Sequence, residues 1–341
     1  MPRLNSYQQA EKTARRTGLA TRICVVAMTA AGSLLPGYAV SQNYPEKPVR
    51  FVLPSAVGGG TDTLARLIAQ KLTSALGQPV VPDNRPGAGG NVGYEIVAKA
   101  APDGYTIIMG ATPMAINVTL VAGKLSYNPE KDFTPVTLVG KLPLLLSVHP
   151  SVPAKTLKEF VAFAKAQPGK LSYGSAGTGS SNHLMGEMLK KAAGIDIVHV
   201  PYKSGAQGLL ALLSGQIEVL ISPTSTLLPM VKAGRVRAIA ISSAQRSSVM
   251  PDVPTIAESG LAGFEAVAWY CIVAPAGLPR PILTRLNAEI VKILNGAEAH
   301  DAFTALGAIV ETSTPEEAAA FVRSEVQRWG KIVKSSGAKA D

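Results

Sequence analysis

The sequence predicts an α/β protein of parallel-sheet type, folded as two lobes, and three observations carry that prediction. Short apolar runs of strand character alternate with amphipathic helical stretches along the chain. One unit recurs four times, in which a strand ends, a Gly/Ser/Thr loop follows and a helix begins: "VLPSAVGGGTDTLARL", "IIMGATPMAINVTL", "LSYGSAGTGSSNHLMGEML" and "VHVPYKSGAQGLLALL". The third observation is length, because 302 of the 341 residues remain once a leader is set aside, more than one ordinary core holds.

That leader is residues 1–39. Arg3, Lys12, Arg15, Arg16 and Arg22 precede the uncharged apolar run "ICVVAMTAAGSLLPGYA". The pattern reads as a secretory signal peptide cut after Ala39, with Gly37 and Ala39 at the −3 and −1 positions. A membrane anchor is the alternative, but a span needs ~20 apolar residues, and this run is short and broken by Gly32, Pro36 and Gly37. Arg15-Arg16 lacks the flank of a twin-arginine signal. Cys24 precedes the apolar core instead of ending it, against a lipoprotein cysteine. The leader holds five basic residues and Glu11, so its removal takes the net charge from +10 to +6. A mildly basic exported protein suits anionic small molecules or an anionic membrane surface. No Lys/Arg run with interleaved aromatics is present, which argues against nucleic acid. Cys271 is left as the single cysteine, so no intrachain disulfide is expected.

The elements follow in order. "VRFVLPS" is a strand. Leu64, Leu67, Ile68, Leu72 and Leu76 give the spacing of a helix with one buried face, closed by Gly77. "PVVPDN" and "YTIIMGA" are strands separated by a helix over 92–100 and the Pro102-Asp103-Gly104 turn. Next come "LLLSVHP", a helix over 157–166, "KLSYGSA", a helix over 182–193 and "DIVHVPY". A helix over 206–213, "IEVLISP", a helix over 227–232 and "RVRAIAISS" complete the middle. The last third holds "AVAWYCIVAPAG", a helix over 281–294 and a helix over 315–333, started by Thr314 as N-cap, Pro315 at N1 and Glu316 and Glu317 in the first turn. Two uninterrupted apolar runs, 142–148 and 267–274, are where the chain is expected to cross between lobes.

The recurring loops carry the chemistry. A helix's first turn offers backbone N–H groups without partners at the positive end of the macrodipole, so it binds an anion without a charged side chain. Glycines admit the ligand close to the backbone, and in open α/β sheets such loops gather at the carboxyl ends of strands. The loops therefore read as a carboxylate or phosphate cradle, against the plain alternative of connecting turns. Asp62 would repel an anion and is expected to face sideways, with Thr61 and Asp62 starting their helix. Catalytic readings do poorly. No nucleophile elbow or phosphate loop occurs, and "GTGSSN" lacks the third glycine of a dinucleotide fingerprint. His149, His183, His199 and His300 show no metal spacing. His199 reads as a strand residue and Cys271 as core, so no cofactor, metal or catalytic residue is expected.

With these loops laid out, the chain resembles the substrate-binding proteins of tripartite tricarboxylate transporters, the Bug or TctC family. The resemblance runs through "YPEKPVRFVLPSAVGGGTD", "LGQPVVPDNRPGAGGNVG", "AKAAPDGYTIIMG", "YNPEKDFTPVTLVG", "HPSVPAKTLKEF", "QPGKLSYGSAGTGSSNHLMGE", "VHVPYKSG", "VKAGRVRAIAISS" and "PDVPTIAESGLAGFEAVAWY". It implies a two-lobe type II periplasmic binding fold, a flytrap, with residues 44–145 plus 270–341 in one lobe and 146–269 in the other. It implies a monomer that captures a small carboxylate for membrane permease subunits. First-lobe contacts would be Ser55, Ala56, Val57, Gly58, Gly59, Gly60, Thr61 and Asp62, with Ala111, Thr112, Pro113 and Met114. Second-lobe contacts would be Ser175, Ala176, Gly177, Thr178, Gly179, Ser180 and His183, with Ser222 and Pro223. Many family members carry Asp at the first of these last two positions and Asn at the second. Serine offers no charge to a ligand ammonium group, so a non-amino organic acid, aliphatic or aromatic, is expected. Two alternatives stand beside it: a receptor whose closed form is read by a sensor kinase, which the chain does not distinguish from transport, and an exported hydrolase using a loop serine, which lacks a positioned base.

Overall fold

The computed structural model describes residues 44–58 and 60–338. The predicted signal peptide, its cleavage point and Gly59 lie outside the described residues. The strands are β1 Val49–Leu53, β2 Val80–Asn84, β3 Thr106–Ala111, β4 Phe133–Val148, β5 Ser172–Ser175, β6 Val198–Pro201, β7 Val219–Pro223, β8 Arg237–Ile241, β9 Val267–Pro275 and β10 Ile309–Val310. The helices are α1 Gly60–Leu76, α2 Asn91–Ala98, α3 Pro113–Leu120, α4 Leu157–Ala166, α5 Ser181–Ala193, α6 Gly205–Leu213, α7 Thr224–Lys232, α8 Arg280–Leu294, α9 Ala297–Ala305 and α10 Pro315–Ser336.

The spine is β4. Its 16 residues run through two sheets. Phe133 to Pro143 pair antiparallel with β9, and Leu144 to Val148 pair antiparallel with β7 and β8. The strand order is β2-β1-β3-β9-β4-β7-β5-β6, with β8 and β10 also on β4. The sheets are mixed rather than all parallel. Parallel pairing joins β1 to β2 and β3, and β5 to β6 and β7. Each of these neighbours is reached through a helix, as a parallel pair requires. The two long strands β4 and β9 instead run against their neighbours. The apolar run 142–148 is thus the second half of a longer strand that passes from one sheet to the other. The run 267–274 lies within β9, whose partners are β3 and the first half of β4. Just before β9, the Ala266 N–H donates to the Ser242 carbonyl beyond β8.

Each sheet covers its own core. Val52, Ile108, Trp269, Val273 and Trp329 belong to one cluster, in which Tyr94, Tyr127 and Phe133 pack ring to ring at 5.5–6.4 Å. Leu145, Leu212, Leu220, Leu227 and Ile241 belong to the other. Cys271 is fully buried in the first core, and burial pushes its thiol up to about 12, which leaves it inert. α10 starts with a full capping box: the Glu317 N–H donates to Thr314 Oγ1, and the Glu317 carboxylate accepts from the Thr314 N–H. Such caps contribute about 1 kcal/mol. Its Trp329 indole, buried in the first core, donates to the Glu325 carboxylate at 2.8 Å. Among the described residues no helix is long and apolar enough to cross a membrane.

Candidate functional site

The carboxyl ends of the strands in both sheets open onto one cavity of about 1150 Å³. Residues 54–56, 58 and 61 line it from the β1–α1 loop, 86–91 from the β2–α2 connection and 111–113 from the start of α3. From the other sheet come residues 176–178 and 180–182 before and at the start of α5, 202–207 around the start of α6, and Pro223, Ser225 and Thr226 at the start of α7. Helix N-termini from both sheets therefore face a common space, the arrangement that attracts an anion. Among the described lining residues Lys203 is the one charged side chain, and it is exposed.

The β1–α1 loop is tied down from behind. Asp62, in the first turn of α1, is 3% exposed and its carboxylate accepts three donors: the Gly58 N–H at 3.1 Å, Arg66 Nε at 3.0 Å and Asn84 Nδ2 at 2.9 Å. Asn84 Nδ2 also donates to the Ser55 carbonyl at 3.0 Å, so both ends of the loop are fixed. Burial alone raises the Asp62 carboxyl. The hydrogen bonds from Arg66, Asn84 and Gly58, with the Arg66 charge, outweigh it and hold the group below its ordinary value. At the helix start, Thr61 Oγ1 donates to the Tyr270 hydroxyl, 3.3 Å away on β9.

The second sheet's loop rests on a pair of imidazoles. Ser180 caps α5, accepting from the His183 N–H and donating to the Gly177 carbonyl at 2.6 Å. The His183 and His199 rings stack at 4.1 Å, and Tyr173 packs on His199 at 4.9 Å. The Gly179 N–H donates to His183 Nδ1 at 3.3 Å, and Ser175 Oγ lies 2.7 Å from His199 Nε2. A serine hydroxyl beside an imidazole is the start of a hydrolase constellation. Here, however, Ser175 is fully buried, and its oxygen also accepts from the Gly177 N–H and faces the Gly177 carbonyl. The pair ties the loop to β6. Burial and then the neighbouring Glu187 carboxylate push the Tyr173 phenol upward, so it stays a donor to that carboxylate at 2.8 Å.

The loops also meet across the cavity. Asn117 on α3 is 2% exposed and donates to the Gly89 carbonyl and to Asn91 Oδ1, which also accepts from the Tyr127 hydroxyl. Gly179 has φ +81°, and a Cβ placed on it would lie 2.7 Å from Asn117 Oδ1 and 3.1 Å from Leu120 Cδ2. The first sheet's α3 and the second sheet's glycine loop are thus in direct contact. Facing them, Ala88 is the sole non-glycine at positive φ among the described residues, within a connection where Gly87, Gly89 and Gly90 share that sign. Strained backbone of this kind collects at binding sites.

Of the residues expected to bind, Ser55, Ala56, Gly58, Thr61, Ala111, Thr112, Pro113, Ala176, Gly177, Thr178, Ser180 and Pro223 line the cavity. Gly60 opens α1. Val57 is 70% exposed at the loop tip, and Met114 is buried in the first core. Asp62, Ser175, Gly179 and His183 are tied into the lining loops by their hydrogen bonds, and Ser222 is fully buried at the end of β7 with its hydroxyl unpaired. Residues 86–91, Asn117, and Ser225 with Thr226 were not expected in the site, and the stretch 202–207 was expected only as one of the four cradle loops, with no contact named on it. The "RPGAGGN" glycine cluster was a visible signal for the first of these.

Two lobes joined by a continuous strand, with helix N-termini around a cleft between their sheets, define a flytrap of the type II periplasmic binding class. The profile of the tripartite tricarboxylate transporter family receptor, TctC, matches residues 64–338, and the chain belongs to that family. Among solved structures it is similar to R. palustris Rpa4515 with adipate, at 36% identity and a TM-score of 0.83 over 86% of this chain and 98% of that one. The periplasmic binding protein BugD is 34% identical, with a TM-score of 0.82 over 87% of this chain and all of the other. MatC from Rhodopseudomonas palustris with bound malate is 37% identical, with a TM-score of 0.80 over 85% of this chain and all of the other. The family is one of substrate-binding receptors, not of enzymes.

Proposed function

We propose that this protein is the periplasmic receptor that captures a small, non-amino organic carboxylate and delivers it to the permease subunits of a tripartite tricarboxylate transporter, working as a monomer after its leader is removed. The observation that carries this reading is a cavity ringed by helix N-termini and hydroxyls in which, among the described residues, no acid takes part. Such a lining stabilises a carboxylate and leaves an ammonium group without a partner, which costs several kcal/mol when buried. Adipate in Rpa4515 and malate in MatC are carboxylates of this kind. In this reading the β1–α1 loop, the start of α3, residues 175–180 with His183, and Ser222 with Pro223 form the binding set, and residues 44–145 plus 270–341 close against 146–269. Asp62 does not supply the acid an amino group needs, because its carboxylate is consumed by the loop behind the cavity.

Calorimetry with a panel of aliphatic and aromatic acids, their methyl esters, and aspartate and glutamate tests it. The free acids should bind, their full methyl esters should lose measurable binding, and the amino acids should compete poorly with the best acid. Equal affinity for an acid and its ester, or tighter binding of aspartate or glutamate, would sink the reading.

A further inference from the structure

We infer that the last turns of α10 form a clasp between the lobes, away from the cavity, which grips α5 and holds the closed arrangement before any ligand arrives. The inference goes beyond the receptor reading, because it concerns the balance of open and closed forms and needs no ligand.

One face of α5 belongs to the second sheet. Asn182 Nδ2 donates to the Ile221 carbonyl on β7 at 2.9 Å, and Gly186 lies so close to the Tyr173 ring on β5 that a Cβ has no room there. Another face turns to the first lobe. Leu184, Met188 and Lys191 recur at the i, i+4, i+7 spacing of one helical stripe. Leu184 is fully buried and Met188 half-buried, and both pack into the first lobe's core, which takes in Trp329, Ile332 and Val333 of α10. Lys191 Nζ donates to the Ser335 carbonyl at 2.6 Å. A cation there meets the negative end of the α10 dipole. The neighbouring Lys190 pairs with Glu187 instead.

α10 itself is fixed to the first lobe. Just ahead of it, the Ser313 carbonyl accepts from Thr137 Oγ1 on β4 at 2.9 Å. Further along, Gly330 passes so near α3 that a Cβ on it would lie 3.1 Å from Thr119 Oγ1. α5 therefore moves with the second sheet and α10 with the first, and parting the lobes must shear Leu184 and Met188 from α10. In this structure the lobes also touch at Asn117 with the Gly179 loop, and at Thr224 with the Leu306 carbonyl. The clasp thus coexists with the closed form, and its apolar burial favours that form. None of Leu184, Met188, Lys191, Ile332, Val333 and Ser335 lines the cavity. Lys191 stands ten residues beyond Ser181, about 15 Å along the helix. A receptor held closed in this way has its binding-competent state already populated, which spares the ligand a loss of affinity.

The test uses ligand-free protein. Val81→Cys and Leu210→Cys carry spin labels towards opposite ends of the strand order; both positions are exposed, and Cys271 is buried. Pulsed electron paramagnetic resonance then reads the ratio of open to closed molecules, and small-angle scattering reads the radius of gyration of the unlabelled chain. Met188→Ala combined with Lys191→Ala should raise the open-to-closed ratio about tenfold and enlarge the radius of gyration. Lys191→Glu changes an exposed side chain alone and sets a negative charge at the negative end of α10, so it should shift the ratio the same way by a smaller factor even where the double variant does not fold. Leu76→Ala, which removes buried packing on α1, should leave the distances as in wild type. Unchanged distances in the folded clasp variants, or a shift toward shorter ones, would overturn the clasp while leaving the carboxylate receptor standing. An equal opening in Leu76→Ala would also overturn it, since the effect would then be general loosening.

Discussion

Asp62→Ala should destabilise the fold by about 2–3 kcal/mol and weaken carboxylate binding at least tenfold. The substitution removes a carboxylate that is 3% exposed and leaves the Gly58 N–H, and one of the two N–H groups of Asn84 Nδ2, without an acceptor. Hydrogen bonds to charged groups contribute about 1.5–3 kcal/mol, and the groups abandoned in the interior carry a desolvation cost as well. The Arg66 head is largely exposed, so its ion pair adds little. Binding suffers because the loop from Ser55 to Gly58 loses its fixing at Gly58, and Asn84, which holds Ser55, loses its own anchor, whereas a backbone cradle works only when its N–H groups are already aimed. Asp62→Asn should recover part of the loss, since its amide oxygen can still accept from Gly58 and Arg66 while its NH2 opposes the Asn84 donor. The pH dependence has a definite sign. The Asp62 pKa is lowered on folding, so its stabilisation is present above the ordinary carboxylate range and fades as pH falls through the folded value. Urea unfolding of wild type and variant should therefore differ near neutrality and converge in acid. Coincident midpoints with equal slopes at neutral pH would refute this role.

The alternation of strand, glycine loop and helix was legible because each of its signals is local. Leu64, Ile68 and Leu72 are all buried on α1, and Thr314 caps α10 as its sequence requires. The sideways orientation of Asp62 was legible for the same reason, since a first-turn acid turns back to the N–H groups ahead of its helix. Long-range choices were not. The first half of β4 carries Thr134, Pro135, Gly140 and Lys141, a poor strand sequence by itself. It is strand because β9 pairs along its length, with register shifts near Pro135 and Gly140 that absorb the misfit. α9 is short and weakly patterned, and it forms between α8 and β10. His183 and His199 show no informative spacing, yet parallel pairing of β5 and β6 brings the rings into a stack. Asn117 looked like any polar residue on a helix. Only the approach of the Gly89 and Gly179 loops makes it a junction.

That junction gives the largest expected effect on binding. Gly179→Val should leave a folded protein that binds carboxylates about a hundredfold more weakly. The position has φ +81°, where a residue with a Cβ is strained by about 1–2 kcal/mol, so some loss of stability is expected too. The larger consequence is steric. The new Cβ would lie 2.7 Å from Asn117 Oδ1, and Asn117 cannot swing aside without releasing the Gly89 carbonyl and Asn91, which in turn holds Tyr127. The less costly relief is for the loop of residues 177–179 to draw back, which parts the lobes where they touch. A ligand that needs both sheets then meets them one at a time, and about 3 kcal/mol of lost contact corresponds to a hundredfold in affinity. Small-angle scattering with the best-bound acid of the panel should show a larger radius of gyration for Gly179→Val than for wild type. Asn117→Ala in the same chain makes room for the wedge and should restore part of the affinity, a coupling expected only of residues in contact. Wild-type affinity in a folded Gly179→Val protein would show that closure does not run through this contact.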